Sequence, residues 1–222
     1  MTKQRLWARW VGESVIIVAS VFVAIFLEGV ADDSARSTDA HASLAQLMSE
    51  LRADRDDLVE VRQHQAHLGR TYDDLLRWMV EPGSLPTDSV QLALNEVAFL
   101  NRTMYPRRGA WRALTSSGQL AWVSDRNLVT RLANFYESMN VRLEAGGRDY
   151  DFNVNEVARV TVPQAWDAGR QRPHADLVEL REQLRYLRLS WNRYYVDLLD
   201  DYGEELDALL RDLGSYLADG DT

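Results

Sequence analysis

Leu44, Leu51, Leu58, Gln65, Tyr72 and Met79 recur every seven residues, and Leu47, Asp54, Val61, Leu68 and Leu75 fill the complementary position. An apolar repeat of that period keeps one face of an α-helix against a neighbour along its whole length. It predicts one helix from Ser34 to Met79. Asp54 and Gln65 interrupt the seam, and polar groups in such a place fix the register or mark where the seam leaves the core. The remaining positions are rich in acid and arginine, as in "ELRADRDD". They read as a solvated face laced with i,i+4 pairs.

A second seam lies towards the other end of the chain. Leu177, Leu180, Leu184, Leu187, Trp191, Tyr194 and Leu198 keep a three-four spacing, which then shifts by four to Tyr202, Leu206, Leu209, Leu213 and Tyr216. Such a stutter locally unwinds a supercoil. Pro173 and Asp176 suit the start of this helix, and its end is expected near Leu217. Two long seams in one chain satisfy each other, so the first helix is expected to pack on the last. A homo-oligomer, in which another subunit fills the seam, is the alternative.

Shorter elements lie between. "EPGSLPTD" ends the first helix with Pro82 and Pro86, and Asp88 is the expected N-cap of "SVQLALNEVAFL". After "NRTMYPRRG" a short helix should reach about Leu114, followed by a Ser/Gly turn. The next helix should start after Ser124, capped by Ser124 with Asp125 in its first turn, and end at Gly146 and Gly147. "RDYDFNVNEVARVTVPQAW" carries the β-branched Val157, Val160, Thr161 and Val162 but has no partner strand, so it is assigned to helix broken by Pro163. The expected fold class is all-α: an N-terminal transmembrane helix followed by an antiparallel helical bundle, two long helices bracketing shorter ones.

The transmembrane assignment rests on "GESVIIVASVFVAIFLEG", residues 12–29. The 14 residues from Ser14 to Leu27 are all apolar or small. At ~1.5 Å per residue they span only about 21 Å, short of a hydrocarbon core of about 30 Å. A helix from Trp7 to Val30 has 24 residues and suffices. Glu13 and Glu28 then fall near the two interfaces, where an acid costs less than at mid-depth. Trp7 and Trp10 suit an interfacial belt, and Lys3, Arg5 and Arg9 a cytoplasmic flank. Glu13 reads either as an interfacial acid or as a carboxyl pairing with a partner helix; Ser20 and Ala24 form a small-xxx-small pair that permits close helix packing. A cleavable signal peptide is the alternative, but Gly29 at the −3 position and Glu28 before it weigh against cleavage after Ala31. The expected organisation is a cytoplasmic flank and anchor at 1–31, a helical bundle domain at 32–218 and a frayed tail at 219–222. The expected location is the cell inner membrane, single-pass, N-terminus cytoplasmic, with the bulk of the chain periplasmic or extracellular.

The sequence excludes more chemistry than it suggests. There is no cysteine, which rules out disulfides, thiolate catalysis and zinc ribbons, and a net charge of −9 argues against nucleic acid as a partner. The four histidines are His41, His64, His67 and His174. None belongs to a Glu-x-x-His motif of a di-iron bundle. No P-loop, G-x-S-x-G, H-E-x-x-H or dinucleotide fingerprint occurs. Ser116, Ser117 and Gly118 read as a turn rather than a nucleophile, since no base is indicated beside them. Arg107, Arg108 and Arg112 are candidate anion contacts. No catalytic, cofactor or metal-binding residue is expected.

Two stretches together resemble a known family. They are "GESVIIVASVFVAIFLEG" and "RRGAWRALTSSGQLAWVSDRNLVTRLANFYE", with Trp111, Leu114, Ser117, Gly118, Leu120, Leu128, Leu132 and Tyr136 at the matching positions. They look like an uncharacterised bacterial family of small single-pass membrane proteins, in which a Gly-Glu pair opens the apolar helix as Gly12 and Glu13 do here. The resemblance ends near Asp149. "LEGVADD" departs from the family's Asn/Trp-rich exit from the span. The resemblance implies an uncleaved anchor and no particular activity. Gly118 has a physical reading of its own: a corner between two helices that needs positive φ. Replacing it with valine is expected to destabilise the domain strongly.

The functional expectation is a membrane-anchored helical module acting as an interaction, scaffold or accessory protein. Its partners would be the lipid bilayer and a second protein, and it would not be an enzyme. The alternatives are an extracytoplasmic ligand-sensing bundle and, third, a membrane-anchored hydrolase.

Overall fold

The computed structural model describes residues 3–170, 172–173 and 177–219, with side chains from residue 35 onward. The chain is an all-α helical bundle. Helix α1 runs Lys3–Val80, α2 Thr87–Phe99 and α3 Gly109–Ser116, with a 3-10 turn over Gln119–Trp122. Helix α4 (Arg126–Asn134) continues through a π-helical stretch, Phe135–Met139, into α5 (Asn140–Glu156), and a second such stretch, Val157–Thr161, leads into α6 (Val162–Ala165). After a hairpin of two short strands come α7 (Val178–Tyr186), a third π-helical stretch at Leu187–Asn192, and α8 (Arg193–Asp219). The anchor residues Trp7, Trp10, Glu13, Ser20, Ala24 and Glu28 lie outside the residues whose side chains are described, and so do Asp176, His174 and residues 220–222. Among the described residues no helix is long and apolar enough to cross a membrane.

α1 and α8 pack antiparallel over nearly the full length of α8. His41 lies against Tyr216, with ring centroids 5.2 Å apart. Further along, Arg55 pairs with Asp207 at 2.6 Å and Arg62 pairs with Asp200. The backbones approach closely at Gly203, where a Cβ would lie 3.0 Å from Leu58. The seam of α1 is the core: Leu44, Leu47, Leu51, Leu58, Val61, Leu68, Tyr72 and Leu75 are all buried. Burying such side chains is worth about 1.5–3 kcal/mol each before conformational entropy is charged against them. Asp54 and Gln65 are buried too. They therefore do not mark exits from the core; they are polar layers within it.

Local differences from the sequence pattern have physical causes. Pro86, not Asp88, precedes α2, because the chain turns helical two residues earlier; Asp88 then lies in the first turn, where its charge suits the helix dipole. Asp125, not Ser124, caps α4: its carboxylate accepts from Asn127 N at 2.8 Å and Leu128 N at 3.1 Å. Gly146 and Gly147 do not end a helix but sit buried in the middle of α5. A Cβ on Gly146 would fall 2.8 Å from Leu198 Cδ2, so that glycine permits close packing on α8. Pro163 does not break the helix, because it falls in the first turn of α6, where a missing N–H costs little. Pro173 starts no helix. It pairs with Trp166 in a hairpin of Trp166–Asp167 against Arg172–Pro173, the partner strand the sequence did not reveal.

The stutter also moves. The π-helical turn at Leu187–Asn192 advances the phase before α8 begins, and a wider turn of this kind inserts an extra residue into the repeat. Asn192 and Tyr195 consequently point inward, while Tyr194 is 40% exposed.

Candidate functional site

Three features stand out from an otherwise apolar bundle: two buried polar layers and a set of exposed apolar side chains on one outer face.

The first layer is centred on Gln65 of α1 and Asn192 at the end of the third π-helical stretch. Gln65 Nε2 donates to Asn101 Oδ1 at 3.0 Å and to the Arg102 carbonyl at 2.6 Å. Asn192 Nδ2 donates to Gln65 Oε1 at 2.9 Å and to the Gln65 carbonyl at 3.2 Å, and Asn192 Oδ1 accepts from Arg188 at 3.1 Å. Arg188 in turn holds Asp73 with two bonds of 3.0 Å. Asp151 of α5 accepts from Asn101, Thr103 and Tyr105, each at 2.7 Å. This layer ties α1, the 101–105 segment, α5 and the start of α8 into one register. Its amides are engaged with one another and with Arg188 and Asp151.

The second layer surrounds Asp54, whose side chain is 1% exposed. Arg107 N donates to its two oxygens at 3.1 and 3.3 Å, and Arg107 NH1 donates to Oδ1 at 2.7 Å. The same guanidinium reaches Asp57 at 2.8 Å. One turn earlier on α1, Glu50 accepts from Ala110 N at 3.1 and 3.0 Å, which holds the amino-terminal turn of α3. Gly109 allows that approach, since a Cβ there would lie 2.8 Å from Glu50 Oε1. "RRG" is thus the docking point of α3 on α1. Burial pushes the Asp54 carboxyl up to about 6, against the downward pull of Arg107. The hydroxyls of Tyr136 and Tyr202 are pushed well above the usual tyrosine range, first by burial and then by the charge of Asp54.

The candidate anion contacts are therefore already engaged. Arg107 holds Asp54 and Asp57. Arg108 donates to the Tyr136 carbonyl at 3.1 Å, and its Nε lies 3.3 Å from Glu144. Arg112 is exposed, one helical turn beyond Arg108, whose carbonyl accepts from the Arg112 N–H at 3.1 Å. Among the described residues the histidines do not converge either: His67 Nε2 lies 2.5 Å from Glu96 on α2, while His64 is half-buried with its Nε2 unpartnered. No group of three or more His, Asp or Glu that could hold a metal ion occurs among the described residues.

The hydroxyls of Ser116 and Ser117 bond back to the Ala113 carbonyl at 3.2 and 2.8 Å. Gly118 follows with φ 73°, and a Cβ there meets nothing within 4 Å. The cost of a side chain is then backbone strain alone. Gly118→Val should lose about 2 kcal/mol in urea unfolding, a milder effect than the sequence suggests. A loss above ~4 kcal/mol would mean the corner also carries packing that its geometry does not show.

The third feature was not singled out in the sequence. α2 buries Val90, Leu94, Val97 and Ala98, while Leu92 and Phe99, seven residues apart, face outward at 69% and 63% exposure. Leu100, next in the chain, and Phe152 of α5 are exposed as well. The Asn101–Asp151 bond of 2.7 Å brings the residues next to Leu100 and Phe152 together. Between Leu92 and Phe99 only Asn95 is exposed; Glu96, one turn from Leu92, is partly exposed and paired with His67, and the exposed Asp88 lies one turn before Leu92. The seven-residue spacing in "LALNEVAF" was the available signal; in so short a helix one such pair does not stand out from the buried stripe beside it.

No family model, curated protein or solved structure matches this chain.

Proposed function

We propose that this chain is a membrane-anchored helical module that acts by interaction, as a scaffold or accessory protein, and that its partner docks on the outer face of α2. The observation that carries the reading is the exposure of four large apolar side chains, Leu92, Phe99 and Leu100 at α2 and Phe152 of α5. Contiguous apolar surface of this kind marks interaction sites, and a stripe at heptad spacing suits a partner helix. The anchoring half of the proposal rests on residues 1–31: a basic flank, Trp7 and Trp10, and an apolar run bounded by Glu13 and Glu28. It places the bundle on the periplasmic or extracellular side of an inner membrane.

The test is crosslinking and pull-down of the tagged full chain from membranes, beside a chain lacking residues 1–31 and the double variant Leu92→Glu/Phe99→Glu. The partner set of the wild-type chain should be lost in both. An unchanged partner set on the double variant rejects the α2 face, and an unchanged set without residues 1–31 rejects the anchor. Recovery of a second copy of the chain makes the module a homo-oligomer on this face.

Ligand sensing is the second reading, favoured by the buried hydroxyls of Tyr136 and Tyr202, which have no hydrogen-bond partner among the described residues. Its anion form is weakened by the carboxylates already on Arg107 and Arg108, which an anion would have to displace.

A further inference from the structure

The π-helical turn at Leu187–Asn192 sends Asn192 and Tyr195 into the core, and it sends Trp191 and Tyr194 the other way. Wide turns of this kind re-aim side chains and recur at functional sites. Both aromatics line a cleft of about 360 Å³ between α5 and the start of α8, together with Ser190, Arg142, Gly146 and Asp149. The two rings stand edge to face, with centroids 6.4 Å apart and planes at 87°. Rings so placed make a corner. Gly146 lies at its floor, since a Cβ there would sit 3.6 Å from Tyr194 Cε1. Trp191 is half-buried, and its Nε1 is on the buried side of the indole. The part that fronts the cleft is therefore carbon, which offers π electrons and no hydrogen-bond donor.

Charge is divided along the cleft. α5 runs antiparallel to α8: Arg142 lies 3.8 Å from Asp201, and a Cβ on Gly147 would meet Tyr195 at 3.5 Å. Asp149 is seven residues on from Arg142, about 10 Å along α5, and so falls at the Ser190–Trp191 end. Arg148 beside it is held by Glu144 at 3.3 Å. Asp149 itself is exposed and enters no ion pair among the described residues. The cleft thus joins two aromatic faces to one uncompensated carboxylate, on a chain whose net charge of −9 draws cations towards it.

We propose that this cleft binds a small organic cation, a quaternary ammonium ion free in solution, with Trp191 and Tyr194 against its methyl groups and Asp149 beside its charge. Aromatic faces hold such ions without hydrogen bonds. Asp149 is the one acid among the described residues that line the cleft, which leaves a metal ion too few ligands.

The test is a calorimetric titration of the full-length chain, purified in a maltoside detergent, with choline. Saturable binding with a Kd of about 1 mM or lower is expected. The neutral isostere 3,3-dimethylbutan-1-ol should bind about tenfold more weakly or worse. Asp149→Asn and Tyr194→Leu should each weaken choline about fivefold, whereas Tyr194→Phe keeps the ring and should stay within about twofold of wild type. Both side chains are exposed, so neither substitution opens the core. Phosphocholine separates a free ion from a lipid headgroup, which carries that phosphate; beside Asp149 it should bind no tighter than choline. No saturable choline binding below about 20 mM, equal binding of the neutral isostere, or wild-type affinity in both Asp149→Asn and Tyr194→Leu overturns the proposal. Phosphocholine bound about tenfold tighter than choline overturns the free ion in favour of a headgroup.

Discussion

Arg107→Ala should destabilise the bundle by about 3 kcal/mol at pH 7.5, because it leaves a carboxylate buried in the α1–α8 core without its counter-ion. The backbone N–H of residue 107 still reaches Asp54, which keeps the loss at the lower end of the range for broken buried pairs. The pH dependence identifies the cause. In the folded wild-type protein the Asp54 carboxyl is raised to about 6 from an ordinary 3.8. Between those values the folded state holds a proton that the unfolded state has released. The stability contributed by this group is therefore greatest below about pH 4 and falls as pH rises through about 6. Removing Arg107 raises the folded value further and extends the fall to higher pH. The difference between Arg107→Ala and wild type, measured by urea unfolding, should be large at pH 7.5 and small at pH 4.5. Adding Asp54→Asn to Arg107→Ala should restore much of the loss at pH 7.5. An equal loss at both pH values, unrelieved by Asp54→Asn, would show that Arg107 acts through packing.

Asn192→Ala should cost about as much, roughly 3 kcal/mol, with no pH dependence over the same range. It removes the donor to Gln65 and Tyr150 and the acceptor of Arg188 at once, and the alanine cannot fill the space. For a chain of this size that corresponds to a Tm lower by about 6–12 °C. Gln65→Leu/Asn192→Leu should lie closer to wild type than Asn192→Ala, since replacing both buried partners leaves fewer groups unpaired. An Asn192→Ala variant within ~1 kcal/mol of wild type would mean that the layer does not hold the register of α1 and α8.

The fold was largely legible because it rests on periodicity. The seven-residue repeat from Leu44 to Met79 and the later seam through Leu198, Leu206 and Leu213 identify the two helices that form the core. Seam spacing also flagged Asp54 and Gln65, but their partners lie 36–127 residues away, and no local pattern announces a tertiary contact of that kind. The π-helical turn before Arg193 escaped for a related reason. It shifts the inward face by one residue, from Trp191 and Tyr194 to Asn192 and Tyr195, and only packing against Gln65 selects that shift. A glycine pair in isolation, such as Gly146–Gly147, favours a helix stop. Against Leu198 the same absence of a side chain permits contact. Arg107 and Arg108 were legible as a cationic pair, but Asp54 and Glu144 decide what that pair binds.

The proposed role requires that a partner meet the outer face of α2 in the membrane. The chain has no cysteine, so a single introduced one reports its own surroundings. Leu92→Cys and, on the exposed side of α8, Glu204→Cys should be made in the full-length chain and treated in intact membranes with a short thiol-to-amine crosslinker. A defined adduct at Leu92→Cys, absent at Glu204→Cys and lost when residues 1–31 are removed, is the predicted result. Adduct patterns that are the same at both positions, or no adduct at Leu92→Cys, would contradict it.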